Sequence, residues 1–100
     1  MTRVASALAH WAAGFAPAAE DEAMAQRALV DTVAVALAAR DDPVGRMLSP
    51  LGRAGRWAAF AHVLDFDDLH LPSTTHVSAV CVPVALAAGG GAHASWSVRG

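Results

Sequence analysis

Lysine, tyrosine, isoleucine and asparagine are all missing from this 100-residue chain. Without lysine, its only permanent cations are scattered arginines. Seven of these against nine acidic residues leave a formal charge of −2. No basic stripe exists to track a phosphate backbone, so nucleic acid is excluded as a natural partner. The four missing residues use AT-rich codons, which points to a GC-rich, bacterial genome.

Cysteine is nearly absent too. Cys81 stands alone, which excludes an internal disulfide and favours a reducing, cytoplasmic setting. Its neighbours Val80, Val82 and Pro83 are apolar, so a buried and inert thiol is expected. Long apolar runs are lacking as well. The longest uncharged stretch, Val77–Ala92, is broken by Pro83 and a glycine run and suits a bilayer poorly. Arg3, the apolar stretch 4–15 and Ala16-Pro17-Ala18 have the outline of an export leader. His10, Trp11 and Gly14 interrupt it and read better as part of an amphipathic helix.

What the chain has in quantity is alanine. Hydrophobic residues make up 55%, but alanine buries little area, so one domain with a modest core is the expectation. The periodicity is helical throughout. Val4, Leu8, Trp11 and Phe15 form one face of a first helix over Arg3–Ala13. A second covers Ala19–Ala39, with Glu20, Asp21 and Glu22 at the positive end of its dipole and Arg40 at the other. Its second half reads as buried nearly all round, which obliges Asp31 to find a partner or the surface. The segment Asp41–Arg56 is rich in breakers and reads as a connector, with at most one short turn around Met47, Leu48 and Leu51. A third helix is expected over Arg56–Leu64. A fourth is expected over Ser78–Ala88, capped by Thr75 or Ser78 and carrying Pro83. The residues 92–100 read as a disordered tail. The fold class predicted is all-α.

Against this nearly uncharged background stands Asp65–His76, with three carboxylates and two imidazoles in twelve residues. Isolated charges are costly to bury, so such a cluster is either a wet loop or a working site. Pro72 and the Ser/Thr run suit a solvated loop. A metal site would draw on Asp65, Asp67, Asp68, His70 and His76, but no familiar ligand spacing is present. Acid–base chemistry is the third reading. A histidine transfers protons near neutral pH, and a buried carboxylate beside it sets its orientation. Thr74, Thr75 and the following helix N-terminus would then receive a substrate carboxylate. Asp67 and Asp68 would repel such an anion unless they face away.

The run His62-Val-Leu-Asp65-Phe-Asp67-Asp68, followed by His70-Leu-Pro72-Ser-Thr-Thr75-His76, resembles the signature of the MmgE/PrpD family of 2-methylcitrate dehydratases and cis-aconitate decarboxylases. Leu8–Gly14, Ala28–Ala38 and Val80–Ala88 are similar to helices of that family. The resemblance implies a small piece, residues 1–91, of a large all-helical domain, usually dimeric, with a shortened connector at about 43–56. It implies proton chemistry on small polycarboxylates, as in propionate catabolism, with no required metal and no organic cofactor. By position, Asp65 and His76 match catalytic residues. His62, Asp68, His70 and Thr75 match residues of the substrate-binding motif.

The chain departs from that pattern at Leu69, where threonine is usual, at Val77, where proline is usual, and at Ala34, where glycine is usual. Family members are also several times longer, so a truncated lyase without activity of its own is expected. The rival expectation is a helical interaction or self-association module, because apolar faces made to pack on a larger body favour association.

Overall fold

A computed structural model describes residues 2–89 of the chain, with side chains from residue 3. Five helices follow in order: α1 (Thr2–Gly14), α2 (Ala19–Ala38), α3 (Val44–Met47), α4 (Arg53–His62) and α5 (Ser78–Gly89). Among the described residues there is no strand, only an isolated antiparallel bridge between His70 and Thr75. The all-α expectation therefore holds. The tail expected at 92–100 lies outside the described residues. No helix among them is long and apolar enough to cross a membrane.

The helix ends follow local chemistry. The Ala18 N–H donates to Asp21 Oδ2 at 2.9 Å, so a first-turn carboxylate closes the start of α2 where the cap residue itself has no side-chain acceptor. At the other end the Arg40 guanidinium donates to the Leu37 carbonyl at 3.1 Å, satisfying one of the orphan carbonyls of the last turn. Asp42 Oδ1 accepts from the Val44 N–H at 2.9 Å and starts the single turn of α3. α4 begins at Arg53, three residues before the expected Arg56. Its true boundary is Gly52 in extended conformation, while Gly55 is absorbed into the helix. Arg53 stacks its guanidinium 5.7 Å above the Trp57 ring one turn on, a contact that favours helix across Gly55.

α4 packs on α5 and on α2, α2 also meets α5, and α3 rests on α4. The centre is built from small groups: Ala39, Ala61, Ala79 and Val82 are buried, with Thr32 and Ser78 beside them, and among the described residues no large side chain is fully enclosed. Methyl-sized contacts let helices approach closely but bury little area each. Ala61 and Ala79 lie near the facing ends of α4 and α5, so the residues between them are folded back into a compact loop.

Two expectations about burial fail. The second half of α2 is not enclosed: Val33 and Leu37 are exposed while Thr32 is buried, and Asp31 simply reaches solvent. Cys81 is exposed rather than buried. In α5 the buried positions are Ser78, Ala79, Val82 and Pro83. That is one face at helical spacing, and Cys81 falls with Val80 and Val84 on the opposite one. Pro83 is the sixth residue of α5, inside the helix. It has no N–H to offer the Ala79 carbonyl.

α1 packs on none of the other helices among the described residues. Its apolar face stays open: Leu8 is 61% and Trp11 63% exposed. Trp11 and Phe15 lie with ring centroids 5.2 Å apart.

Candidate functional site

The site lies where α4 ends and the loop toward α5 begins. The Val63 N–H bonds to the Ala59 carbonyl at 2.9 Å and the Asp65 N–H to the His62 carbonyl at 2.8 Å, so the chain winds through one tight turn after His62. Asp65 then takes a left-handed conformation, φ 58°, which aspartate tolerates better than most residues because its short polar side chain bonds locally. That reversal separates Asp65 from Asp67. Asp65 is sent to the surface, its side chain 79% exposed. Asp67 is turned inward, its side chain 1% exposed.

The buried Asp67 carboxylate stands between two imidazoles. His62 Nδ1 lies 3.1 Å from Oδ1 and His76 Nδ1 lies 2.9 Å from Oδ2. With Nδ1–H donating, both rings are held in one tautomer by a single carboxylate, the arrangement that orients catalytic and metal-binding histidines. The rings meet edge to face with centroids 4.5 Å apart. His76 Nε2 lies 3.9 Å from Asp65 Oδ1, so its free nitrogen is directed toward the exposed acid. The His62 side chain is 53% exposed and that of His76 30%, so both rings reach water.

Asp68, one residue on from Asp67, serves elsewhere. Its Oδ1 accepts the Ser78 N–H at 2.9 Å and its Oδ2 accepts the Ser78 hydroxyl. The expected caps Thr75 and Ser78 are thus not the acceptors that start α5. Asp68, ten residues upstream of Ser78, supplies the carboxylate. Partial burial pushes the Asp68 carboxyl up, but the Ser78 hydroxyl and the Ser78 and Val77 backbone N–H groups, with His76 nearby, together hold it below its ordinary value. The N-terminus of α5, expected to receive a substrate carboxylate, already holds an internal one.

His70 and Thr75 belong to a separate small loop. The His70 N–H donates to the Thr75 carbonyl at 2.9 Å, and Nδ1 of His70 lies 2.7 Å from the Ser73 hydroxyl. The Thr74 and Thr75 hydroxyls both donate to the Ser73 carbonyl, at 2.7 and 3.3 Å. Thr74 is itself left-handed, φ 52°, an uncommon state for a β-branched residue.

The structure therefore joins His62, Asp65 and His76 from the sequence-derived set. It directs Asp68 to α5, and His70 and Thr75 to their own turn. Asp67, which the sequence offered only as a metal ligand or as a group repelling a substrate anion, and not among the catalytic or substrate-binding residues, is the carboxylate that holds the two imidazoles. Nothing in its spacing distinguishes it from Asp65 or Asp68; burial alone does. No protein-family model, curated protein or solved structure matches this chain.

Proposed function

We propose that this chain is an MmgE/PrpD-like helical unit carrying part of a proton-transfer site for small polycarboxylic acids, and that it lacks turnover on its own. The observation that supports the reading most is the shared Asp67 carboxylate holding His62 and His76 by their Nδ1 atoms. His76 is the proton carrier at Nε2, with Asp65 as its exposed partner. In a dehydration or decarboxylation such a group takes a proton from, or returns one to, the carbon beside a carboxylate.

Charge explains why the unit is incomplete. Asp65 and Asp67 contribute two negative charges, and no arginine lies within ion-pairing distance of either among the described residues. A polycarboxylate needs cationic groups that a larger catalytic body would bring. The test is an NMR titration of the purified chain with cis-aconitate, read on the histidine ring protons. Saturable shifts at His62 and His76, absent at His10 and lost in His76→Ala, are expected, with no product formed. A folded chain showing no shift at either ring overturns the substrate reading. Turnover abolished by His76→Ala overturns the claim of incompleteness.

A second reading rests on α1. Its unpartnered face of Leu8 and Trp11, with Val80 and Val84 exposed on α5, suits a helical module that associates with itself. A homodimer in sedimentation equilibrium, dissociated by Trp11→Glu, supports that reading. A compact monomer refutes it.

A further inference from the structure

We propose that His62, Asp65 and His76, backed by Asp67, bind one divalent transition-metal ion. The inference goes beyond the proton-transfer reading and competes with it for one atom, because a His76 Nε2 that binds a metal carries no proton there.

Each of the four offers a ligand atom, and those atoms all lie within 4.8 Å of one another. Donors around a tetrahedral ion with bonds of ~2 Å are separated by roughly 3.3 Å. His76 Nε2 and Asp65 Oδ1, at 3.9 Å, are close to that spacing already. Asp65 has the freedom to close the difference, because its carboxylate is 79% exposed and makes no hydrogen bond to another described residue.

The tautomer is also correct. A ligating imidazole binds as a neutral ring, and its other nitrogen commonly donates to a carboxylate that fixes its orientation. Asp67 does this for His76 at 2.9 Å and stands against His62 Nδ1 at 3.1 Å. Because Asp67 is almost wholly buried, the orienting carboxylate cannot swing away to water.

Charge points the same way. With neutral imidazoles the cluster carries two carboxylates, and among the described residues no ion-pairing group other than the two histidines lies within 4.0 Å of them. One divalent cation neutralises the set. Two imidazoles with one carboxylate suit zinc, cobalt or iron rather than magnesium or calcium, which take oxygen donors. Three protein ligands leave a coordination position open toward solvent, as in catalytic rather than structural sites.

The test is a cobalt(II) titration of the full chain in excess magnesium, followed by visible d–d absorption and by displacement with zinc(II). One cobalt ion per chain, displaced by zinc and not by magnesium, is expected. His76→Ala should weaken cobalt binding by ~100-fold or more and Asp65→Asn by at least roughly 10-fold, since loss of even an outer-shell partner costs roughly 10–100-fold. His10→Ala on α1 should leave it unchanged. Asp65→Asn keeps the test valid if His76→Ala unfolds the chain, because Asp65 is exposed and its replacement disturbs no packing. A folded chain that shows no cobalt spectrum overturns the proposal, and so does an affinity that Asp65→Asn does not alter.

Discussion

Replacing Asp67 by alanine removes the one buried carboxylate of the loop and is expected to destabilise the protein by about 1–3 kcal/mol. The estimate starts from two hydrogen bonds to an ionised acceptor, at 3.1 and 2.9 Å. Each such bond is worth roughly 1.5–3 kcal/mol when fully shielded. Neither is fully shielded, because His62 and His76 are partly exposed and their freed N–H groups turn to water. Recovery of the hydration lost when Asp67 is buried reduces the cost further. The sum falls below the simple total and above the roughly 0.5 kcal/mol of an ordinary surface change.

The assay is urea unfolding followed by far-UV circular dichroism, with Asp65→Asn as the matched comparison. Asp65 is exposed and asparagine tolerates its left-handed φ of 58°, so this change should stay under about 0.5 kcal/mol. In a domain of this size each kcal/mol shifts Tm by about 4–8 °C, so the two variants should separate clearly on a melting curve as well. In a double-mutant cycle, Asp67→Ala should cost less when His76 is already alanine, with a coupling of about 0.5–3 kcal/mol. Equal and small losses for Asp65→Asn and Asp67→Ala would refute the claim that Asp67 organises the loop.

Three further outcomes are expected. Asp68→Ala should cost about 0.5–2 kcal/mol through loss of the α5 cap. Because the folded-state pKa of Asp68 is lowered, its contribution is complete above the unfolded carboxyl pKa of about 3.9 and fades as pH falls through the lower folded value. The gap between the wild-type and Asp68→Ala urea midpoints should therefore narrow in acid. Thr32→Val should stabilise the chain by about 1–2 kcal/mol, since the Thr32 hydroxyl is buried without a partner among the described residues and a methyl of similar size removes that cost; an unchanged or lower urea midpoint counts against this. Gly45→Ala places a Cβ 2.5 Å from Phe60 Cζ and should cost about 1–3 kcal/mol by overpacking α3 against α4. A Gly45→Ala melting temperature equal to wild type would show that the Phe60 ring moves aside freely.

An apolar groove of about 360 Å³ between α2, α4 and α5, lined by residues such as Thr32, Trp57 and Leu86, explains why so little of the chain is enclosed. The helices cross on alanines and leave their larger side chains at the margins. The extensive exposed apolar surface of α1 and α5 is the other consequence. A unit of this composition gains most of its remaining stability only when something further covers those faces.

The sequence by itself determined the helices. Their apolar spacing, the acidic first turn of α2, Arg40 at its end and the breakers around 41–52 all act over a few residues, where backbone hydrogen bonding and side-chain periodicity suffice. It also determined that Asp65–His76 is chemically unlike the rest of the chain. Only the tertiary structure decided which carboxylate does what. Three aspartates within four positions look alike in sequence, yet one is exposed by a left-handed turn, one is buried between two imidazoles and one caps a helix ten residues away. Those assignments depend on where α4 ends relative to the start of α5, a long-range outcome of packing Ala61 and Ala79. The same holds for Cys81 and the second half of α2. Apolar neighbours along the chain show that a segment is greasy. Which face of it is covered depends on the partner helices, and here those partners cover only one side.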